Sequence, residues 1–496
     1  MNLMGGLAAA LTPSYILYAV LGTGLGMLVG VLPGLGPAAA TALLLPLTLS
    51  LDLTGSIIML AGIYYGSQFG GTITSVLLNV PGEASSAITC LDGHPMAKNG
   101  RAGSALTIAA LVSAFAGIVA TMGIVVAAPL LSDLALRFGP PEMFALMLFA
   151  TTLLMALAGD SLIKALMMGA LGLMLATVGL DPTQGLPRFT FGTPELFDGL
   201  SFVPVVMGLF GLADIMTAIE RRAGTLRLHK IEKLMPTREE LKRSSAPALR
   251  GTAIGFFLGL IPGMMPAISS LLSYVAEKSV ARHPEQFGQG AVEGVAGPEA
   301  ANNSHATASL LPLLTLGIPT TPTIALILGA FMVNGIVPGP LLFRDHPEII
   351  WAVIASFFIG NLLLLMWNIP FVGLWVSILK IPSSILYAII VVLMIIGAYA
   401  EYNSMFGVIL LFGSGIVGYW MRQLNFPVAP LVLALVIGPL MEQNLIRSLE
   451  MFPGDTSGML FRPMVMVLML ASVAILIYFS LRSAGRFDKF VRQDAE

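Results

Sequence analysis

The residues best suited to chemistry lie in two apolar stretches that interrupt themselves. GIYYGSQFGGTITSVLLNVPGEASSAITC carries Thr72, Thr74, Ser75, Asn79, Gly82, Glu83, Ser85, Ser86 and Thr89. The second stretch holds Glu299, Asn302, Asn303, Ser304 and Thr307, then Thr315, Gly317, Thr320, Thr321 and Thr323 around TLGIPTTPTI. A proline that breaks an apolar helix leaves backbone N–H and C=O groups without partners, which hydrocarbon tolerates only where protein, water or a ligand satisfies them. Half-helix N-termini offer N–H groups and a positive dipole end to an anion, while freed carbonyls suit a cation such as Na⁺. A carboxylate could be held there without arginine, and neither stretch contains Lys or Arg.

On this argument the substrate-binding candidates are Thr72, Thr74, Ser75, Asn79, Gly82, Ser85, Asn302, Asn303, Gly317, Thr320 and Thr321. Glu83 and Glu299 stand in or beside the breaks, and a carboxylate at membrane depth is costly enough to point to function. They are candidates for ion coupling, together with Pro33, Gly34, Pro262 and Gly263 of two PG-x-x-P turns. The competing expectation is that the hydroxyls only cap broken helices and bridge neighbours, and that each Glu rests on a helix dipole facing a vestibule. Asp160 and Lys164 have the i,i+4 spacing of an ordinary pair at a membrane boundary.

Other chemistries lack their residues. Histidines 94, 229, 283, 305 and 346 are scattered with no HExxH pair, so no metal site is expected beyond a transported Na⁺. The chain contains no GK[ST], which excludes a Walker-type nucleotide site. No nucleophile stands with a base. The expectation is a protein that is not an enzyme, with no cofactor and with Na⁺ or H⁺ as coupling ion.

These segments must be positioned by membrane helices. Of 496 residues, 56% are hydrophobic and 10% charged, against about a quarter charged in soluble domains. Runs such as 105–129, 385–398 and 465–480 are apolar on every face, and a span needs roughly 20 such residues. The expected fold is an all-α polytopic membrane protein with about 10–12 spanning or half-spanning helices, with no sign of the alternating segments of a β-barrel. The N-terminus has no basic region before its apolar core and does not read as a removable signal peptide. A net charge of −2 argues against a nucleic-acid partner, and Cys90 alone cannot form an internal disulfide.

The one long polar segment, residues 220–250, is rich in Arg and Lys and is expected on the cytoplasmic side. It divides the chain into a first membrane half (1–219) and a second (251–481), followed by a cytoplasmic tail (482–496). By the same rule Lys98, Arg101, Lys164, Lys380 and Arg422 read as inside. SDLALRFGPPEM, DPTQGLPRFTFGTPELFDG and EMFPGDTSGMLFR read as outside.

The halves share a pattern. Shifting residues 22–37 by 229 matches Gly22, Thr23, Gly26, Gly30, Pro33, Gly34 and Pro37 with Gly251, Thr252, Gly255, Gly259, Pro262, Gly263 and Pro266. GxxxG spacing recurs wherever membrane helices pack, but that does not explain the PG-x-x-P. Further along, Pro81 corresponds to Pro319. Paired broken segments in corresponding positions of two halves are the sequence mark of a secondary-transporter site. No Lys or Arg precedes Lys98, whereas Arg250, Lys278 and Arg282 bracket the second copy. If each PG-x-x-P tips a re-entrant hairpin, the repeat is inverted.

GVLPGLGPAAATALLLPLT, YYGSQFGGTITSVLLNVPGEASSAITCLDGHPMAKNGRAG, GLPRFTFGTPELFDG, EGVAGPEAANN and LLTLGIPTTPT occur in order along the chain. Together they resemble the large permease subunit of the tripartite tricarboxylate transporters, the TctA family. The resemblance implies a cation-coupled uptake system of the bacterial inner membrane. Its partners would be a small four-helix membrane subunit and a periplasmic solute-binding protein delivering an organic carboxylate. The family's signature segments fall on 33–37, 79–82, 298–303 and 317–320. PGMMP and IPTTPT are bulkier than many relatives' versions, which bears on the substrate. The alternative function is an ion or solute channel, which should show a ring of carboxylates or a carbonyl filter.

Overall fold

The computed structural model describes residues 3–32, 35–158, 161–181, 185–220, 234–379 and 381–493. Pro33, Gly34, Asp160, Lys380 and residues 221–233 of the basic segment lie outside the described residues. The first half comprises α1 (Leu3–Ala10), α2 (Pro13–Gly30), α3 (Pro37–Leu44), α4 (Leu53–Leu78), α5 (Ser86–Lys98), α6 (Ala102–Ala135), α7 (Pro140–Leu157), α8 (Leu162–Ala176) and α9 (Phe202–Glu220). The second comprises α10 (Arg238–Gly259), α11 (Pro266–Val280), α12 (Glu293–Ala308), α13 (Leu310–Leu316), α14 (Pro322–Val333), α15 (Pro347–Asn368), α16 (Ser383–Tyr402), α17 (Met405–Gln423), α18 (Val428–Met451) and α19 (Pro463–Gln493). Short helical turns join several of these. One two-residue β pair, β1 (Gly179–Leu180) with β2 (Pro187–Arg188), folds antiparallel between α8 and α9. Eight described helices are long and apolar enough to cross a membrane, and four shorter apolar helices accompany them.

Proline sets many of the starts. It opens α2, α3, α7, α11, α14 and α15, where its missing N–H has no intrahelical partner to lose and its φ is already helical.

The centre is built from two parallel helix pairs, each seamed by glycine. On α2, Gly22, Gly26 and Gly30 press against the backbone of Met59, Ile63 and Ser67 on α4 so closely that a Cβ would collide with each carbonyl. On α10, Gly251, Gly255 and Gly259 meet Gly297, Ala301 and His305 of α12 in the same way. Small residues every fourth position let backbones approach, and dispersion then holds the helices where no hydrophobic effect can.

Both long partners, α4 and α12–α13, end on a left-handed residue, Asn79 (φ 57) and Gly317 (φ 70). The chain then folds back. Val80 N donates to Thr74 O (3.5 Å) and Ile318 N to Pro312 O (3.3 Å). Gly82 returns to the level of Gly71, and Thr320 donates its hydroxyl to Ser309 O. Only there do α5 and α14 begin. Their first turns therefore lie beside the middle of the helix just completed, not beyond its end.

Ion pairs mark the two ends of the molecule. Arg101 with Glu240, Arg243 with Glu293, and Arg250 with Glu277 gather at one; Arg188 with Glu442 and Arg462 with Glu142 gather at the other. Lys164 donates to Leu424 O (2.7 Å) and lies over the Phe426 ring, while Arg422 pairs with Asp214. Where the sequence assigns a side to both members, the pair joins segments assigned to the same side.

Candidate functional site

The site lies where α4, α5 and the centre of α12 meet. Glu299 is buried on α12, and the Thr72 hydroxyl of α4 stands 3.1 Å from each of its carboxylate oxygens. Thr89 of α5 donates to the same carboxylate. One turn along α12, Asn302 Nδ2 lies 3.4 Å from Glu83 Oε1, and Ser85 donates to Glu83 as well. Ser86 closes the start of α5, accepting from Glu83 N (3.2 Å) and donating to Glu83 O (2.9 Å). Two neighbouring helices, α4 and α5, and a third about 200 residues further along the chain thus satisfy two acids.

No Lys or Arg pairs with either acid among the described residues. A carboxylate taken from water without a basic partner must be protonated or accompanied by a cation. The arrangement can therefore exchange a proton or take up a cation, with Thr72, Thr89, Ser85 and Asn302 as the groups that would respond.

Several buried polar atoms nearby have no hydrogen-bond partner among the described residues: Tyr64 OH, Gln68 Nε2, Asn302 Oδ1 and His305 Nε2. The Tyr64 hydroxyl lies near Ser309, Thr321 and Gln68. His305 is held through Nδ1 by Ser269 Oγ at 2.7 Å. Gly263 (φ 83) donates its N–H to Thr320 O at 2.9 Å, so the two breaks of the second half touch.

Of the sequence candidates, the structure brings together Thr72, Glu83, Ser85, Glu299 and Asn302, with Gly82, Gly263, Pro262, Thr320 and Thr321 at the edges. The others are placed elsewhere. Thr74 and Ser75 donate to Gly71 O of their own helix (3.0 and 2.9 Å), a local bond that hydroxyls make in membrane helices. Asn79 is exposed at the cap of α4. Gly317 is the matching cap, packed on Pro338 O. Asn303 reaches neither acid and donates to Asn361 Oδ1 of α15 at 2.9 Å. Pro33 and Gly34 fall outside the described residues.

Sequence reading passed over Tyr64, Gln68, Ser309 and Ser269. Tyr64 and Gln68 are four apart in YYGSQ, hence on one helical face, but an apolar run gives no sign of which face meets the site. Among the described residues no group of three or more His, Cys, Asp or Glu could hold a metal ion.

Residues 16–433 match the tripartite tricarboxylate transporter TctA family. The chain is 46% identical over 497 residues to a 52.8 kDa protein of the TAR-I ttuC' 3' region of Agrobacterium vitis, covering 99% of both. A protein of the TAR-II ttuC' 3' region of the same organism is 43% identical over 243 residues, 48% of this chain and all of the relative. No solved structure matches. A chain of membrane-length helices with two acids buried among hydroxyls, matched over most of its length by one family of transporter subunits, belongs to the tripartite tricarboxylate transporter TctA family.

Proposed function

We propose that this chain is the large permease subunit of a binding-protein-dependent secondary transporter that imports an organic di- or tricarboxylate across the bacterial inner membrane, coupled to inward movement of Na⁺ or H⁺. A periplasmic solute-binding protein delivers the carboxylate, a small four-helix membrane subunit completes the membrane complex, and α4–α5 and α12–α14 form the site as two halves of an inverted duplication. The recurrence of the glycine seams, left-handed caps and fold-back bonds at offsets of 229 and 238 residues supports the duplication.

The observation that carries the transport reading is the pair Glu83 and Glu299, held by hydroxyls and an amide with no Lys or Arg paired to either among the described residues. Two buried acids and an anionic substrate cannot share one site unless cations arrive with them, and a ligand shifts a two-state carrier only through its differential affinity for the states. Coupling follows from a site in which substrate and cation depend on each other. The test is uptake into proteoliposomes containing all three subunits, with imposed Na⁺ or pH gradients. E83Q and E299Q should each lower gradient-driven uptake by at least about tenfold, the equivalent of one lost charge-assisted contact. Wild-type uptake by both variants, or uptake indifferent to either gradient, would remove the coupling role.

A further inference from the structure

The two halves treat the starts of their second helices differently. At α5 the protein supplies its own acids: Asn302 donates to Glu83, while Thr72 and Thr89 donate to Glu299. The shift of 238 residues that carries Asn79 onto Gly317 and Pro81 onto Pro319 carries Glu83 onto Thr321 and Tyr64 onto Asn302. It pairs Glu299 with Ala61. The start of α14 thus keeps a donor in the position of Asn302 and lacks both acids.

That donor is unused. Tyr64, 1% exposed, places its hydroxyl against Ser309, Thr321 and Gln68 without a hydrogen bond to any of them, and Gln68 Nε2 beside it is equally unpartnered. Buried donors are nearly always paired, and leaving one unpaired is destabilising. Tyr64 faces the start of a twelve-residue helix whose N-cap hydroxyl, Thr321 Oγ1, already accepts from Ile324 N at 3.3 Å, and Gln68 stands beside Tyr64 with its Oε1 accepting from Ser85 (3.5 Å). An orphan hydroxyl at the positive end of a helix dipole, with an orphan amide N–H beside it, presents what a carboxylate accepts, and among the described residues no internal carboxylate is hydrogen-bonded to either, Glu83 being the nearest acid.

We infer that the start of α14 is a subsite for one carboxylate group of the substrate, held by Tyr64 OH and Gln68 Nε2 in the place that the Glu83 carboxylate occupies at α5. The inference rests on the reading of the chain as a carboxylate permease and adds where, and by which atoms, the acid is bound. Tyr64 and Gln68 then determine selection for a carboxylate over its neutral analogue.

The test uses the full chain, co-purified with its partner membrane subunit, and follows thermal melting in citrate, succinate or benzoate. At least one of the three should raise the melting temperature of the wild type. Y64F and Q68A should each weaken that acid's apparent affinity by about tenfold, roughly one hydrogen bond. Y64N, which restores an amide donor as at Asn302, should stay nearer to wild type than Y64F. T321E, which adds an internal carboxylate, should abolish the shift. Without acid, Y64F should melt no lower than wild type, because it deletes an unpaired hydroxyl. A shift undiminished in Y64F and T321E overturns the subsite and leaves the carboxylate reading standing. A wild type unmoved by all three acids removes the carboxylate reading itself.

Discussion

The Thr72 hydroxyl lies 3.1 Å from both carboxylate oxygens of Glu299, a residue 227 positions later in the chain. Neither half of the molecule can make this contact alone, so the state of the acid is tied to the fit between halves. T72V keeps shape and volume while removing a donor to a buried carboxylate. It should lower stability by about 1–3 kcal/mol and reduce gradient-driven uptake, measured by thermal melting and by proteoliposome flux. T72S keeps the donor and should restore most of both.

The glycine seams set a second expectation. G26A and G255A each drive a methyl into a backbone carbonyl, of Ile63 and Ala301 respectively, and backbone cannot rotate away as a side chain can. Each should cost about 1–3 kcal/mol, the usual penalty for overpacking. Gly413 on α17 has open space where its Cβ would stand, so G413A should leave the melting temperature unchanged or slightly raised. Equal effects at all three positions would show that the seams do not hold the centre together.

Asp92 ties α5 to the segment between α11 and α12. It is fully buried and accepts from the backbone N–H groups of Gly288 (2.9 Å), Gly290 (2.8 Å) and Ala291 (2.8 Å), and from Tyr274 OH (3.0 Å). Tyr274, Phe287 and Ala291 form an apolar cluster apart from the main core, so this carboxylate is a principal link between them. D92A should accelerate hydrogen exchange at Gly288, Gly290 and Ala291 and lower stability by about 3 kcal/mol or more, whereas Y274F should cost about 1 kcal/mol. Unchanged exchange in D92A would mean that other contacts hold the segment.

Sidedness is checked by cysteine labelling in a C90S background. Thr12 and Glu239 are exposed, and the inverted-hairpin scheme places the N-terminal end of α2 outside and the basic segment inside. T12C and E239C should react with impermeant maleimide from opposite sides of the membrane. Labelling of both from one side ends the scheme for the first half.

Much of this was legible in the chain itself. Membrane character follows from composition, because hydrocarbon rejects charge and unpaired backbone wherever they occur. The described breaks follow from Pro81, Pro262 and Pro319, and the matched glycine rows are visible because a backbone approach that excludes Cβ leaves only one residue type. Glu83 and Glu299 stood out because acids are rare in such segments.

The face each polar residue presents was decided only by packing. Each residue along a helix turns the side chain by about 100°, so Asn302 reaches Glu83 while its neighbour Asn303 reaches Asn361 on another helix. Thr72 meets Glu299 although Thr74 and Ser75, nearby in sequence, bond to their own backbone. Tyr64 reads as part of an apolar run until the fold-back after Gly317 brings the start of α14 against it. Residue type and spacing announce that a helix is broken and that polar groups are at hand; which of them converge depends on helix rotation and on partners more than 200 residues away, and those are set by tertiary contacts.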